Sequence, residues 1–209
     1  MGKKPIIVWV SGLAASGKST FIELAKQLCK QNNVNCSFLS DEQFVFALNQ
    51  EDEKHTHHTH PYDDNHFLLT TNHHYDEGLR RISKILEKIL ENETNKIVFI
   101  ELARGKKIGS FDVTFAQANK IIPKKIIKNS KFVYLYSSLK KRIVRNEKRR
   151  ETSSLHPPRD FLEKLYKTDD FEKFEKQYKN QITVINNKTS IKDFMTKSEK
   201  EILKLINLV

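Results

Sequence analysis

Short runs of apolar residues alternate along the chain with longer segments in which apolar residues recur every three or four positions. Strands that alternate with helices in this way are typical of β-α-β units, so the pattern predicts an α/β fold with one parallel sheet and helices on both faces. The runs that predict strands lie at Ile6–Val10, Asn35–Leu39, Ile97–Glu101, Phe132–Tyr136 and Ile182–Ile185.

The periodic segments between these runs predict helices. The clearest is Gly78–Glu91, in which six aliphatic residues fall on one face. Further helices are predicted at Lys18–Gln31, at Ser138–Arg150, in two pieces within Arg159–Lys179 with a break near Thr168 and Asp169, and from a cap at Ser190 to about Leu208.

A glycine-rich motif follows the first predicted strand and opens the first helix. The run from Gly12 to Ser19, Gly-Leu-Ala-Ala-Ser-Gly-Lys-Ser, matches G-x-x-x-x-G-K-[ST]. Its glycines let the backbone wrap a phosphate, and the helix start supplies N–H groups and partial positive charge. Lys18 is expected to reach the β- and γ-phosphates, and Ser19 to ligate Mg²⁺. The predicted nucleotide-binding residues are Gly12, Ala14, Ala15, Ser16, Gly17, Lys18, Ser19 and Thr20.

The run from Val10 to Thr20 resembles the phosphate loops of small P-loop kinases, including adenylylsulfate kinase, gluconate kinase, nucleoside monophosphate kinases and seryl-tRNA kinase. The resemblance implies a three-layer P-loop NTPase fold: a five-stranded parallel sheet of order 2-3-1-4-5, helices on both faces and an arginine-bearing helical lid. It also implies one domain over 1–209, with a substrate-side insertion at about 50–75 and the lid at about 138–158.

Asp41 ends the second predicted strand, where a carboxylate would face the crevice at the carboxyl ends of the strands. In similar kinases an acid at this point orients or deprotonates the acceptor hydroxyl, so Asp41 is a candidate catalytic and substrate-binding residue. The alternative is that Asp41 or Ser40 caps a helix at Glu42–Leu48.

Glu101 ends the third predicted strand beside the phosphate loop and resembles a Walker B acid, which would hold Mg²⁺ through water or act as the base. With Arg104 it forms Glu-Leu-Ala-Arg, which also resembles the Glu-Arg element of deoxynucleoside kinases. Glu101 is therefore a catalytic candidate and Arg104 a substrate-binding candidate. The alternative is an ion pair between the two on the surface.

Basic residues are concentrated in one part of the chain. The net charge is +11, and the segment from Lys120 to Arg150 holds twelve basic residues and one acid. Local positive charge favours a polyanionic partner, although for Lys120–Lys131 a solvated lysine-rich surface is the favoured interpretation. Arg142, Arg145 and Arg149 fall near one helical face and resemble kinase lid arginines. We expect Arg142 to bind substrate and Arg145 and Arg149 to neutralise the moving phosphoryl group, with a solvated basic helix as the alternative.

Seven of the eight histidines lie between Gln50 and His74, a stretch without clear periodicity. It is interpreted as a polar loop or small inserted element; a Zn²⁺ or Ni²⁺ site, or a role for His66 or His73 in the acceptor site, are the alternatives. Cys29 and Cys36 form no CxxC motif, so two reduced, buried thiols in a cytoplasmic protein are expected. The longest apolar runs are too short to span a bilayer, and no membrane partner is expected.

The leading functional hypothesis is an ATP- and Mg²⁺-dependent kinase that transfers the γ-phosphoryl group to a small hydroxyl- or phosphate-bearing nucleotide, nucleoside or metabolite. ATP is favoured over GTP because Asn187-Lys-Thr-Ser190 lacks the aspartate of a guanine-reading N-K-x-D motif. The alternatives are a kinase directed to RNA or tRNA and a nucleotide-dependent binding protein without transfer activity. The sequence identifies neither the acceptor nor the oligomeric state.

Overall fold

The computed structural model describes residues 2–52, 59–63, 66–105, 107–108, 111–150, 157–164, 166–188 and 190–209. The elements in chain order are β1 (Ile6–Gly12), α1 (Lys18–Gln31), β2 (Asn35–Ser40), α2 (Asp41–Glu51), β3 (Thr59–Asp63), β4 (His66–Leu69), α3 (His73–Asn92), β5 (Lys96–Ala103), β6 (Lys107–Ile108), β7 (Phe111–Asp112), α4 (Phe115–Ile121), α5 (Lys124–Lys128), β8 (Ser130–Tyr136), α6 (Leu139–Arg150), α7 (Arg159–Lys164), α8 (Phe171–Gln177), a 3₁₀ turn (Lys179–Gln181), β9 (Ile182–Asn186) and α9 (Ile191–Ile206).

Five parallel strands form the central sheet in the order β2-β5-β1-β8-β9. Numbered among themselves along the chain, these strands have the order 2-3-1-4-5, so the expected topology is confirmed. The register pairs Val10 of β1 and Ser40 of β2 with Glu101 of β5. The residues that follow β1 and β2 therefore meet Glu101 at one edge of the sheet.

Both faces of the sheet are covered, which explains why its central strands are continuously apolar. Successive side chains of β1 alternate between two cores. Trp9 packs on one face with α3, α4 and α8, whereas Val10 packs on the other with α1 and α9. Trp9 also donates from Nε1 to Ser130 Oγ at 3.0 Å, which satisfies its only polar group.

The five strands and the main helices agree with the sequence predictions to within a few residues. The predicted break near Thr168 and Asp169 is confirmed and has a clear cause. Asp169 accepts a hydrogen bond from the Tyr134 hydroxyl at 2.7 Å, and Asp170 accepts from the N–H groups of Phe115 and Ala116 at the start of α4. These contacts anchor the segment between α7 and α8 and prevent a continuous helix.

The described residues of the stretch from 50 to 74 include the end of α2, the antiparallel pair of β3 and β4, and the start of α3. Helix α3 begins at His73, five residues before the predicted start. The early start places His74 in the core and brings Tyr75 to the edge of the crevice. None of the helices in the described ranges is long and apolar enough to cross a membrane.

The expectation of two reduced thiols is wrong, because the structure joins Cys29 and Cys36 in a disulfide. Cys29 lies in the last turns of α1 and Cys36 near the start of β2, and the tight connection between them places their Cα atoms 6.5 Å apart. That separation lies in the range that a disulfide can bridge. The pairing follows from the turn between helix and strand, which a search for CxxC does not test.

Candidate active site

The loop between β1 and α1 has a backbone that demands its glycines. Gly12 and Gly17 have φ values of 148° and 112°, in the region that favours glycine. A Cβ atom on Gly12 would lie 2.7 Å from the carbonyl oxygen of Leu135, and one on Gly17 would lie 2.7 Å from Asn187 Nδ2. The loop is therefore held close to β8 and to the turn after β9, in one compact shape.

Three polar side chains converge at the end of this loop. Lys18 is buried, with Nζ 3.3 Å from the Leu13 carbonyl oxygen and 3.9 Å from Glu101 Oε1. Ser19 donates from Oγ to the same Glu101 oxygen at 3.4 Å. A hydroxyl and a carboxylate at this distance are oxygen ligands of the kind that Mg²⁺ prefers, and Lys18 supplies a cation beside them. The donor set thus fits a triphosphate with its Mg²⁺.

Asn187 supports the phosphate loop and was not singled out for this role by the sequence. Its buried amide donates from Nδ2 to the Ser16 carbonyl at 2.8 Å, and its Oδ1 accepts from Arg145 Nη2 at 2.7 Å. Asn187 lies directly after β9. A polar residue directly after a parallel strand was the available signal.

Asp41 and Arg104 form a buried ion pair at the positions where β2 and β5 end. Arg104 Nη1 lies 2.6 Å from Asp41 Oδ2, and both side chains are almost fully buried. Burial raises the pKa of the Asp41 carboxyl, and the charges of Arg104 and Lys18 oppose that rise. The structure differs from the helix cap considered for Asp41 or Ser40, because Asp41 pairs with Arg104 and Ser40 makes no side-chain capping bond. It also differs from the ion pair considered for Arg104, whose carboxylate partner is Asp41 and not Glu101.

Two tyrosines extend this pair towards the segment after α7. The guanidinium of Arg104 lies over the ring of Tyr75, 5.2 Å from its centroid. The Tyr75 hydroxyl is 3.0 Å from the hydroxyl of Tyr166, in the segment after α7. Burial raises the pKa values of both tyrosines, so both hydroxyls stay neutral near pH 7. This part of the site therefore carries phenol groups and an internally neutralised ion pair.

Glu42 is a site residue that the sequence reasoning missed. It follows Asp41 in the first turn of α2 and keeps an accessible side chain at the rim of the crevice. Surrounding protein removes water from this carboxyl and raises its pKa, and the charges of Asp41 and Glu101 raise it further. Lys18 and Arg149 act in the opposite direction. Glu42 thus lies within electrostatic range of Lys18 in the phosphate loop, Glu101 on β5 and Arg149 on α6.

The three arginines of α6 that the sequence singled out have different surroundings. Arg142 is buried and donates to the backbone carbonyls of Ser137, Tyr166 and Lys167 at 3.2, 2.8 and 3.2 Å, with a longer contact of 3.4 Å to Ala14. Its guanidinium joins α6, the segment after α7 and the phosphate loop. These contacts give Arg142 a structural role, and the expected substrate contact stays a prediction.

Arg145 also contacts the phosphate loop, but it remains half-buried. Its Nη1 lies 3.4 Å from the Ser16 carbonyl oxygen and 3.2 Å from Ser137 Oγ, and its Nη2 contacts Asn187. Arg149, one turn further along α6, is exposed, and its positive charge lowers the pKa of Glu42. Arg145 therefore joins α6 to the phosphate loop, and Arg149 is exposed one turn further along the helix.

The histidine-rich stretch is described only in part. His55, His57 and His58 lie outside the described residues, whereas His60 lies in β3 and His66 in β4. His73 is exposed and His74 is buried in α3. Within the described ranges, no three histidine, cysteine, aspartate or glutamate side chains are grouped as a metal site.

Comparison with solved structures identifies the fold. The chain matches APS kinase from Mycobacterium tuberculosis, solved in complex with AMPPNP and APS, with a TM-score of 0.56, 15% identity and coverage of 99% of this chain and 98% of that one. It matches a Janibacter sugar kinase with a TM-score of 0.57, 13% identity and coverage of 97% and 95%. A protein from Thermus thermophilus, TT1252, matches with a TM-score of 0.57, 16% identity and coverage of 97% and 98%.

These likenesses extend over nearly the whole chain, so the chain has the fold of the P-loop kinases. No protein-family model and no curated protein sequence matches it.

Proposed function

We propose that this chain is a phosphotransferase that uses ATP and Mg²⁺ to phosphorylate a small hydroxyl- or phosphate-bearing acceptor. The observation that carries the proposal is the convergence of Lys18, Ser19 and Glu101 at the end of a glycine-shaped loop. The kinase fold supports it, as does the AMPPNP bound to APS kinase from Mycobacterium tuberculosis.

The phosphate loop and its neighbours would hold the nucleotide. N–H groups at the start of α1 face anionic oxygens favourably, and Lys18 adds a fixed positive charge for the β- and γ-phosphates. Ser19 would ligate Mg²⁺ directly, with Glu101 holding one of its waters. Bound Mg²⁺ supplies positive charge to the phosphate oxygens during transfer. Asn187 keeps Ser16 in place and so preserves the shape of the loop.

Transfer requires in-line positioning and charge stabilisation more than covalent chemistry by the protein. The acceptor oxygen bonds to the γ-phosphorus, the bond to the β–γ bridging oxygen breaks, and its electron pair leaves with ADP. The hydroxyl proton passes to a carboxylate of the crevice. Asp41 and Glu101 are the acids that the sequence assigned to this end of the site, and the buried pair of Asp41 with Arg104 keeps that wall fixed.

Arg145 and Arg149 would meet the transferring group from the lid helix α6. A guanidinium stays charged and bonds phosphate oxygens through two parallel donors, which suits it to the charge that develops there. We propose 138–158 as the lid, which would close to exclude water, and 50–75 as the insertion on the substrate side.

The test is consumption of MgATP in the presence of nucleosides, nucleoside monophosphates, sugars, adenylylsulfate and tRNA. Lys18→Ala is the inactive variant, and Lys26→Ala is the matched control, because Lys26 lies in the same helix but is exposed and pairs with Glu23. We expect one class of acceptor to stimulate the wild type and Lys26→Ala but not Lys18→Ala. MgATP binding without stimulation by any acceptor would favour a binding protein and contradict the proposal.

A further inference from the structure

We propose that the acceptor is an uncharged polyhydroxylated molecule, and that the Glu42 carboxylate accepts hydrogen bonds from its hydroxyl groups. This inference rests on the proposed function and narrows its acceptor from any hydroxyl- or phosphate-bearing compound to one without a phosphate or sulfate ester. It is carried by the charges and contacts on the wall of the crevice formed by Glu42, the Asp41–Arg104 pair, Tyr75 and Tyr166.

The first observation is that the cation on this wall is already neutralised. Arg104 is 1% exposed, and its Nη1 is engaged by Asp41 at 2.6 Å and by the Ala103 carbonyl at 2.7 Å. An acceptor phosphate would have to compete with a buried carboxylate for this guanidinium, and displacing that carboxylate would leave it unpaired and buried. Arg104 therefore does not provide a net positive charge for an anionic acceptor.

The second observation is the remaining donor of the same side chain. Arg104 Nη2 is buried and has no hydrogen-bond partner among the side chains and backbone groups that the structure describes. A buried donor without a partner costs free energy, so the site is stabilised by any group that accepts from it. A hydroxyl oxygen can accept without bringing charge next to Asp41.

The third observation is the position of Glu42. Its neighbour Asp41 is 3% exposed, whereas Glu42 is accessible at the rim, in the first turn after β2. Because β2 pairs with β5 through Ser40 and Glu101, Glu42 lies at the edge of the sheet beside Glu101, and the proposed acceptor would arrive at this edge. An ionised carboxylate is an acceptor only, so it selects partners that donate, which hydroxyl groups do and phosphate dianions do not.

The tyrosine pair completes a surface suited to a polyol. The Tyr75 and Tyr166 hydroxyls both donate and accept, and the ring of Tyr75 lies beneath Arg104. Together this wall offers a carboxylate, phenol hydroxyls, a spare guanidinium donor and an aromatic ring. The wall thus combines hydrogen-bond donors and acceptors with the negative charge of Glu42, since Asp41 and Arg104 neutralise each other. Such a surface favours a neutral compound rich in hydroxyl groups over an anion.

Matched pairs of acceptors test the inference directly. We would measure kcat/KM for MgATP consumption with adenosine against AMP, D-ribose against ribose 5-phosphate, and glycerol against glycerol 3-phosphate. The members of each pair differ only in the phosphate ester, so shape is held constant as far as chemistry allows. We expect the neutral member to give at least a tenfold higher kcat/KM in every pair that responds.

Variants of Glu42 separate recognition from folding. Glu42→Gln should lower kcat/KM for the neutral acceptor at least tenfold with an unchanged Kd for MgATP, and Glu42→Asp should restore part of the loss. Glu51→Gln is the matched control, because Glu51 lies at the other end of α2 and pairs with Arg81. Neutral acceptors used equally well by Glu42→Gln and wild type would overturn the role of Glu42.

The outcomes distinguish this inference from the function on which it rests. Higher turnover with the phosphorylated member of any pair would overturn the neutral-acceptor inference while leaving the kinase proposal standing. No stimulation by either member of any pair, although MgATP binds to the wild type and not to Lys18→Ala, would count against the kinase proposal and the inference together.

Discussion

Replacing Arg142 with methionine tests whether this arginine is structural or contacts the substrate. Methionine fills a similar volume but donates no hydrogen bond. The guanidinium donates to four carbonyls, of which the Ala14 contact at 3.4 Å is too long to count strongly. Lys167 is exposed, so water can replace the donor at its carbonyl. The contacts to Ser137 and Tyr166 then dominate the loss.

A hydrogen bond to a charged group contributes roughly 1.5–3 kcal/mol, so losing these two contacts should cost about 4 kcal/mol. For a chain of this length, 1 kcal/mol corresponds to a shift in Tm of about 2–4 °C. We therefore expect Arg142→Met to lower Tm by about 8–16 °C in differential scanning calorimetry. The destabilisation should be present without any ligand, because all the partners are backbone groups of the chain itself.

The matched control is Lys140→Met, which removes an exposed cation from the same helix. It should melt within about 2 °C of the wild type, since surface substitutions usually change stability by less than 0.5 kcal/mol. If Arg142→Met also melts within 2 °C of the wild type but raises the KM for the acceptor, the structural role is refuted and the substrate contact suggested by the sequence is restored.

Three further predictions concern the same crevice. Asp41→Asn and Arg104→Met should each cost about 3–5 kcal/mol in urea unfolding. The double variant should cost less than their sum, whereas additive losses would contradict the buried pair. Gly17→Ala should abolish MgATP binding in calorimetry, because its Cβ would lie 2.7 Å from an amide nitrogen at a φ of 112°. Gly78→Ala, whose Cβ would lie 3.3 Å from Phe44 Cβ within a helix, should bind MgATP as the wild type does. Turnover measured against pH should fall on acidification, since a raised pKa makes Glu42 take up its proton at a higher pH than an ordinary glutamate. The same fall at low pH in Glu42→Gln would contradict this.

The sheet and the phosphate loop could be predicted because their physics is local. Strands covered on both faces must be apolar throughout, and a backbone with φ values of 148° and 112° must place glycine at Gly12 and Gly17. Strand order came from the resemblance of the loop to those of kinases, not from the apolar pattern. The end of α2 and the start of α3 were placed less well because polar residues cover both.

The roles of the lid arginines could not be read from spacing. Arg142, Arg145 and Arg149 are near one face of α6, yet the first is buried among carbonyls, the second is half-buried and the third is exposed. Depth along a helix face depends on what packs against it, here the segment after α7. The same limit explains why Asn187 and Glu42 were missed, since their partners are distant in sequence.

The central claim is that the Gly12–Ser19 loop holds MgATP, and equilibrium binding tests it most directly. ATP would be titrated calorimetrically into the wild type, Lys18→Ala, Ser19→Ala and Lys26→Ala, with and without Mg²⁺. We predict that Lys26→Ala binds like the wild type, that Lys18→Ala loses binding, and that Ser19→Ala loses most of the Mg²⁺ dependence. Equal affinity of Lys18→Ala and wild type, with no effect of Mg²⁺ on either, would contradict the account.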